Sequence, residues 1–429
     1  MLTKIRKKVI NLLRWSEQYT KTDMVYLAKG GFWVWLGKGI TVLTSLALAV
    51  AFANLIDSDT YGTYKYVLSL ASVMSMFTLT GLGKAITRAI AQGFEGMYQK
   101  GVRVFFKWSF GIVLVAGSSA AYYLIQGNQE IGISLLLVAT LYPVIKTSGL
   151  YTSFLEGKKD FKTRSIYLAI RETIQAGVLV LLMLATPQNT ILLICGLLVS
   201  NALLNTFFYF YTKHSYQLND QTDESTITYG KHLSVIRIIR AFAGQVDKIL
   251  IFQSLGSTPL AIYSFAQIPT KKADSFLRSI GSIILPKFSE KSLKTLQRTI
   301  THKVLIFLGV CVVGVGAFIL AAPYIYQLLF PEYVESIRYA RWFSLLLLAA
   351  PEILYGQALY AHALKKELYF VGVGSDILKL LLLVVLLPIY GVMGAIAAIV
   401  VTHGVRFCIK AIYFYTADQK DNLNAETGS

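Results

Sequence analysis

Two apolar stretches within residues 233–290 carry charges at a spacing that has chemical meaning. In the first, SVIRIIRAFAGQVDKILIFQSLG, a helical step of about 100° per residue gathers Arg237, Arg240, Gly244, Asp247, Lys248 and Ile251 onto roughly a third of the circumference. In the second, AIYSFAQIPTKKADSFLRSIGSIILPK, the same step gathers Gln267, Lys271, Asp274, Ser275, Arg278 and Ser282. An ionised side chain at bilayer depth costs from ~3 to more than ~10 kcal/mol, depending on snorkelling and on the water it draws in. Scattered charges would expel such segments from a membrane, whereas a stripe can face an aqueous cavity while its opposite face meets lipid. The two stripes are net positive, which points to a transporter with a predominantly cationic internal cavity. The same residues also admit a structural reading, with Asp247 and Lys248 or a nearby Arg as a buried pair and Arg237 snorkelling to the headgroups.

The elements that must position these stripes are membrane helices. The 429 residues are 55% hydrophobic and only 15% charged, with a mean hydropathy of +0.56, and long apolar runs recur throughout. The formal net charge of +18 collects in alternate connections, as the positive-inside rule requires of cytoplasmic loops, so no nucleic-acid partner is inferred. Twelve spans are predicted, near 31–56, 62–82, 104–125, 131–155, 166–186, 190–212, the two charged segments of 233–290, 303–322, 337–361, 368–388 and 392–416. Basic connections (Lys84 to Arg103, Lys158 to Arg164, 213–232, Lys287 to Lys303, Lys365 and Lys366) alternate with connections lacking Lys and Arg (57–59, 126–130, 187–189, 256–259, 323–336, 389–391). Both termini are thereby expected in the cytoplasm. Residues 1–30 are basic and mildly amphipathic, suiting a helix on an anionic leaflet or a solvated start. Residues 31–212 form a first six-helix lobe, 213–232 an interlobe loop, 233–416 a second lobe and 417–429 a polar tail. No removable signal peptide is expected.

Sliding the chain over itself by about 199 residues lays ANLIDSDTYGTYKY (53–66) on FQSLGSTPLAIYSF (252–265), Lys38 on Arg237 and Arg88 on Lys287. Two lobes of the same orientation imply a pseudo-twofold axis along the membrane normal. Enzyme chemistry finds no foothold. Cys195, Cys311 and Cys408 are isolated, and His214, His232, His302, His362 and His403 show no metal-ligand spacing. The run from Gly31 to Gly39 has one residue too many for a phosphate loop and no Ser or Thr after Lys38. No ATPase domain is read, and neither a cofactor nor a metal is expected.

The acidic turn followed by Tyr61-Gly62-Thr63-Tyr64, the run Gly81 to Arg88, Val246-Asp247-Lys248-Ile249-Leu250-Ile251, Leu255-Gly256 with Ala261 to Ser264, Leu328-Leu329-Phe330 with Glu332-Tyr333, and Tyr390-Gly391 before Gly394-Ala395 resemble the polysaccharide and O-antigen flippases of the multidrug/oligosaccharidyl-lipid/polysaccharide (MOP) exporter superfamily. The likeness spans nearly the whole chain. It implies an all-α polytopic membrane protein of MATE-like fold, two six-helix lobes alternating between inward and outward openings in the cell (inner) membrane. The implied cargo is an undecaprenyl-pyrophosphate-linked oligosaccharide, with membrane lipid, a polysaccharide polymerase and other biosynthesis proteins as partners. A cation-coupled drug exporter of the same superfamily and a lipid II flippase are the alternative readings, although a drug exporter would be expected to place acids where Arg and Lys stand here.

Concentrated cations in a low-dielectric cavity suit a pyrophosphate. Arg237, Arg240, Lys271 and Arg278 rank first, followed by Lys38, Lys248 and Arg171; Lys38 is included for its repeat partner and its polar face with Thr41 and Ser45. Glu352, Asp247 and Asp274, and with them Glu172 and Asp376, are acids able to carry H+ or Na+. Asp247, Asp274 and Glu172 have sequence-adjacent cations that would neutralise them, while Glu352 has none and follows Pro351.

Overall fold

A computed structural model describes residues 24–362 and 365–426, and residues 1–23 of the amphipathic segment expected at 1–30 lie outside them. The chain is nearly all helical, with no strand among the described residues. The helices are α1 (Met24–Leu55), α2 (Ser58–Met74), α3 (Leu82–Ala91), α4 (Met97–Trp108), α5 (Phe110–Ile125), α6 (Gln129–Ser148), α7 (Tyr151–Gly157), α8 (Phe161–Ala185), α9 (Thr190–Ser215), α10 (Ser225–Ala243), α11 (Val246–Leu255), α12 (Ser257–Ser289), α13 (Leu293–Leu329), α14 (Ser336–Ser344), α15 (Glu352–Ala361) and α16 (Lys365–Glu426). Among the described residues eight helices are long and apolar enough to cross a membrane, nine if the bent pair Ser58–Phe77 and Leu82–Ala91 counts as one. The charged segments α10–α11 and α12 are not among the eight, because their Lys, Arg and Asp dilute the apolar content. One apolar run, Phe370–Ala417, has 48 residues, about 72 Å of helix against a core of about 30 Å. It breaks at Gly391, whose φ of 57° glycine adopts without steric cost.

Residues that cap and interrupt helices explain the boundaries. Asn128, Asp160 and Asn189 each accept an amide N–H from the third residue ahead, at 3.1, 3.0 and 2.9 Å, and so start α6, α8 and α9, each cap worth about 1 kcal/mol. Several connections expected as basic loops are instead mostly helical. The break after α12 is only 290–292, and Ser292 caps α13 through the Thr295 N–H, since Lys, Arg, Gln and Leu are all good helix formers. Two expected spans are interrupted. The tenth contains a 3-10 turn at Leu345–Ala349 before Pro351, which has no amide N–H. The seventh pauses at Gly244 and Gln245, between α10 and α11.

The chain divides into two compact units, Met1–Ala51 with Met74–Arg237 and Phe52–Val73 with Ile238–Ser429. The second takes residues 52–73, which the sequence reading placed within 31–212. The first unit is centred on Leu82, Ile86, Tyr98, Tyr151, Phe154 and Phe208, all buried. Three of its basic connections meet at one end. Lys158 pairs with Glu95 and Lys100 with Glu224, Lys84 pairs with Glu156 at 2.7 Å, and the Asn219 amide donates to the Gly93 carbonyl at 2.8 Å. The Glu95 carboxyl is held below its ordinary range by the Lys158 ammonium, which outweighs its partial burial.

The second unit is built on aromatic packing: Phe265 lies 3.8 Å from Tyr333 and 4.6 Å from Tyr61 between ring centroids, and Tyr66 stacks on Phe252 at 3.8 Å. The two segments that the 199-residue shift superimposes touch one another here. Ser58 faces Thr258 at 3.3 Å, and Ser257 donates to the Asp59 carboxylate. Exchanging each residue for its repeat partner converts the first pair into the second, the self-complementary pattern of a twofold contact. Gly62 is required at this crossing, because a Cβ there would stand 2.0 Å from the Ser257 carbonyl oxygen.

Candidate functional site

The second unit gathers most of its intramembrane charge around α11 and α12. The pause at Gly244–Gln245 leaves the Ala243 carbonyl without a helical partner, and Lys379 of α16 donates to it at 2.6 Å. The same ammonium reaches the Asp247 Oδ1 at 3.2 Å. Asp247 is 2% exposed, and its other oxygen accepts from the Tyr263 hydroxyl and, at 3.4 Å, from the Gln267 amide. The carboxylate at the foot of the first stripe is therefore a buried, saturated ion pair. Its partner is Lys379, not Lys248 or an Arg. Lys248 itself donates to Gln245 at 2.8 Å.

Beside this pair lies a cavity of about 170 Å³ lined by Asp247, Gln267, Thr270, Lys271, Asp274, Lys379 and His403, with Gly244, Phe343, Leu346 and Ile399. It could hold several waters or one small anion. Lys271 projects there with an accessible side chain and no hydrogen bond or ion pair among the described residues. It lies within electrostatic reach of Lys248, Lys379 and Lys65, with Asp247 as the opposing charge. Lys65 of α2 also stands over Tyr61 and Tyr64, 4.9 and 5.7 Å from their centroids. Ammonium groups sharing a poorly hydrated site repel one another, so an arriving anion lowers the energy of the whole group.

A second layer surrounds α15. Arg278 binds Asp274 at 2.7 Å and lies 3.9 Å from Glu352, whose same oxygen is 3.4 Å from Lys410. Glu352 is 1% exposed and neither carboxylate oxygen has a hydrogen bond among the described residues. No cation is adjacent to it in sequence, but in the fold it stands between two. Nearby, Arg406 pairs with Asp376 at 3.3 Å, Arg240 also acts on Asp376, and an Arg240 nitrogen lies 3.4 Å from where a Cβ on Gly372 would sit.

The two predicted stripes thus converge in part. Gly244, Asp247, Gln267, Lys271 and Asp274 line one cavity, and Lys248 and Arg278 flank it. Ile251 is buried in packing, and the helix pause prevents Arg240 and Asp247 from sharing one continuous face. Arg237 lies in α10, but its side chain falls outside the described residues. Lys38 and Arg171 belong to the first unit. Lys38 sits 5.9 Å from the Trp35 ring, while the Thr41 and Ser45 hydroxyls are spent on carbonyls of their own helix. Arg171 pairs with Glu172 at 2.6 Å and reaches Asn205 at 3.4 Å. Sequence reasoning missed Lys65, Lys379, His403, Arg406 and Lys410. All five are ionisable residues in apolar runs, so the rule that exposed the stripes could have found them. No group of three or more His, Cys, Asp or Glu among the described residues is arranged to hold a metal ion.

Residues 27–292 match the model of the family described as polysaccharide biosynthesis protein. No curated protein matches the sequence. Among solved structures, the chain is similar to the lipid II flippase MurJ in an inward closed conformation, at 11% identity and a TM-score of 0.66, covering 89% of this chain and 87% of that one. It is similar to a MATE multidrug resistance transporter of the MOP superfamily in an inward-facing conformation, at 10% identity and a TM-score of 0.61, covering 88% and 94%. A third similar structure is a MOP superfamily transporter from Pyrococcus furiosus, described by the reverse polarity of its binding pocket, at 12% identity and a TM-score of 0.57, covering 91% and 95%. The fold is that of the MOP superfamily.

Proposed function

The chain belongs to the polysaccharide biosynthesis protein family, and from that premise we propose that it is a membrane flippase. Its cargo in this reading is an undecaprenyl-pyrophosphate-linked oligosaccharide, moved from the inner to the outer leaflet by alternating access of a twelve-span protein. The observation that carries the reading is Lys271, which has no hydrogen bond or ion pair among the described residues, in a cavity bordered by Lys379 and within reach of Lys248 and Lys65. Sugars vary between cargoes, whereas the pyrophosphate is constant and concentrates negative charge. A cavity prepaid with ammonium groups recognises that constant part, and the neighbouring Arg278 can supplement it with a bidentate guanidinium. Asp247 then acts as the counter-charge that keeps Lys379 in place while the cavity is empty.

A cation-exporting drug transporter is disfavoured by the same group, because an incoming cation would meet the ammonium groups of Lys271 and Lys379, which outnumber the Asp247 carboxylate. The test is binding of pyrophosphate-linked cargo to purified protein. Lys271→Ala should weaken it by ~1–3 kcal/mol, the range for a lost charge-assisted contact, with the melting temperature unchanged. Wild-type affinity in a well-folded Lys271→Ala protein would refute the anion site.

A further inference from the structure

Helix α12 presents a second face that the cationic cavity does not use. About two-fifths of a turn round from Gln267, Lys271 and Asp274, Pro269, Ala273, Phe276 and Leu277 line an apolar groove of about 270 Å³ with α13, where Val310, Cys311, Gly314, Val315 and Phe318 form the opposite wall. Thr270 lines both the groove and the cavity. Thr270 is 3% exposed and its hydroxyl has no hydrogen-bond partner among the described residues, so it is a polar group left ready between a charged space and an apolar one. The geometry is fixed locally. Pro269 lacks an N–H, which frees the Phe265 carbonyl four residues earlier, and the Tyr326 hydroxyl of α13 donates to that carbonyl at 3.0 Å, tying α12 to α13 beside the groove.

We propose that this groove holds the hydrocarbon chain of an anionic isoprenoid lipid whose phosphate lies in the cationic cavity on the neighbouring face of α12. A head and a tail joined by one bond need an anion site and an apolar channel side by side, and Thr270 is where the two meet. The inference rests on the flippase reading and adds the place where the lipid anchor lies during recognition.

Gly314 supplies a clean variant. It lines the groove, nothing stands within 4 Å of an added Cβ, and leucine favours helix over glycine. Gly314→Leu should therefore fold while filling the groove. It should weaken binding of polyprenyl pyrophosphate by about tenfold, the equivalent of about two lost buried methylenes, and leave binding of inorganic pyrophosphate unchanged. In parallel, polyprenyl pyrophosphate carrying a photoreactive diazirine on its first isoprene units should label residues 269–277 and 310–318. Unlabelled polyprenyl pyrophosphate should suppress that labelling and phosphatidylglycerol should not. Labelling elsewhere, equal suppression by phosphatidylglycerol, or unchanged lipid affinity in folded Gly314→Leu would overturn the inference. The flippase reading would survive any of these; wild-type protein that binds neither pyrophosphate compound would overturn both.

Discussion

Lys271 and Lys379 carry the same charge a short distance apart, yet the structure gives them opposite tasks. Lys379 is committed to the Ala243 carbonyl and to Asp247, while Lys271 has no such commitment among the described residues. Removing one member of a buried pair leaves a bare charge and costs ~3–5 kcal/mol. Lys379→Ala should therefore lose stability by about that amount, and adding Asp247→Asn should restore much of it, as thermal or denaturant unfolding would show. Equal stability of the single and double variants would mean that the pair has no structural role. Glu352 presents a different case, because its charge is balanced by Lys410 and Arg278 but neither of its oxygens has a hydrogen bond among the described residues. If it carries a coupling proton or Na+, Glu352→Gln should abolish the dependence of transport on the ion gradient while cargo binding persists. Gradient dependence that survives the change would dismiss Glu352 from coupling. Sequence adjacency misled at both sites. It offered Lys248 to Asp247 and nothing to Glu352, whereas Lys379, which serves Asp247, lies 132 residues away and Glu352 stands between Arg278 of α12 and Lys410 of α16.

Elements were legible where one residue settles the local energetics. The turns before α6 and α9 contain Asn128 and Asn189, which cap those helices, and Gly391 marks the reversal within the last apolar run. The pause at Gly244–Gln245 was not read, because Gly244 fitted a helical stripe as well as a break. The basic connections hid their helical content, since Lys and Arg serve a cytoplasmic loop and an amphipathic helix equally. In the first unit those connections are clamped together by Glu95 with Lys158 and Asn219. The Glu95 carboxyl is depressed below its ordinary value in the fold, so its contribution is present above that value and is lost as pH falls through the folded one. Below about pH 4, proteolysis or amide exchange in residues 92–96 and 216–224 should accelerate, and Glu95→Gln should remove that pH dependence. Acceleration of the same size in Glu95→Gln would place the acid-sensitive group elsewhere.

At the scale of the molecule, the sequence disclosed a membrane protein through composition and a repeat through coincident turns. The reciprocal pairs Ser58–Thr258 and Asp59–Ser257 give that repeat a physical meaning. What composition could not disclose is which cations share a space, because that depends on helices distant in sequence: Lys65 on α2, Lys248 on α11, Lys271 on α12 and Lys379 on α16. Their convergence makes the central claim one about anions crossing a bilayer. The direct measurement is translocation of a fluorescent polyprenyl-pyrophosphate-linked oligosaccharide across proteoliposomes, scored by accessibility of its sugar to an impermeant reagent. Wild-type protein should move the cargo, and Lys271→Ala should slow transport about fivefold to a hundredfold, as the loss of ~1–3 kcal/mol of binding implies. Lys271→Glu should abolish it. Translocation by Lys271→Glu at the wild-type rate would contradict the account.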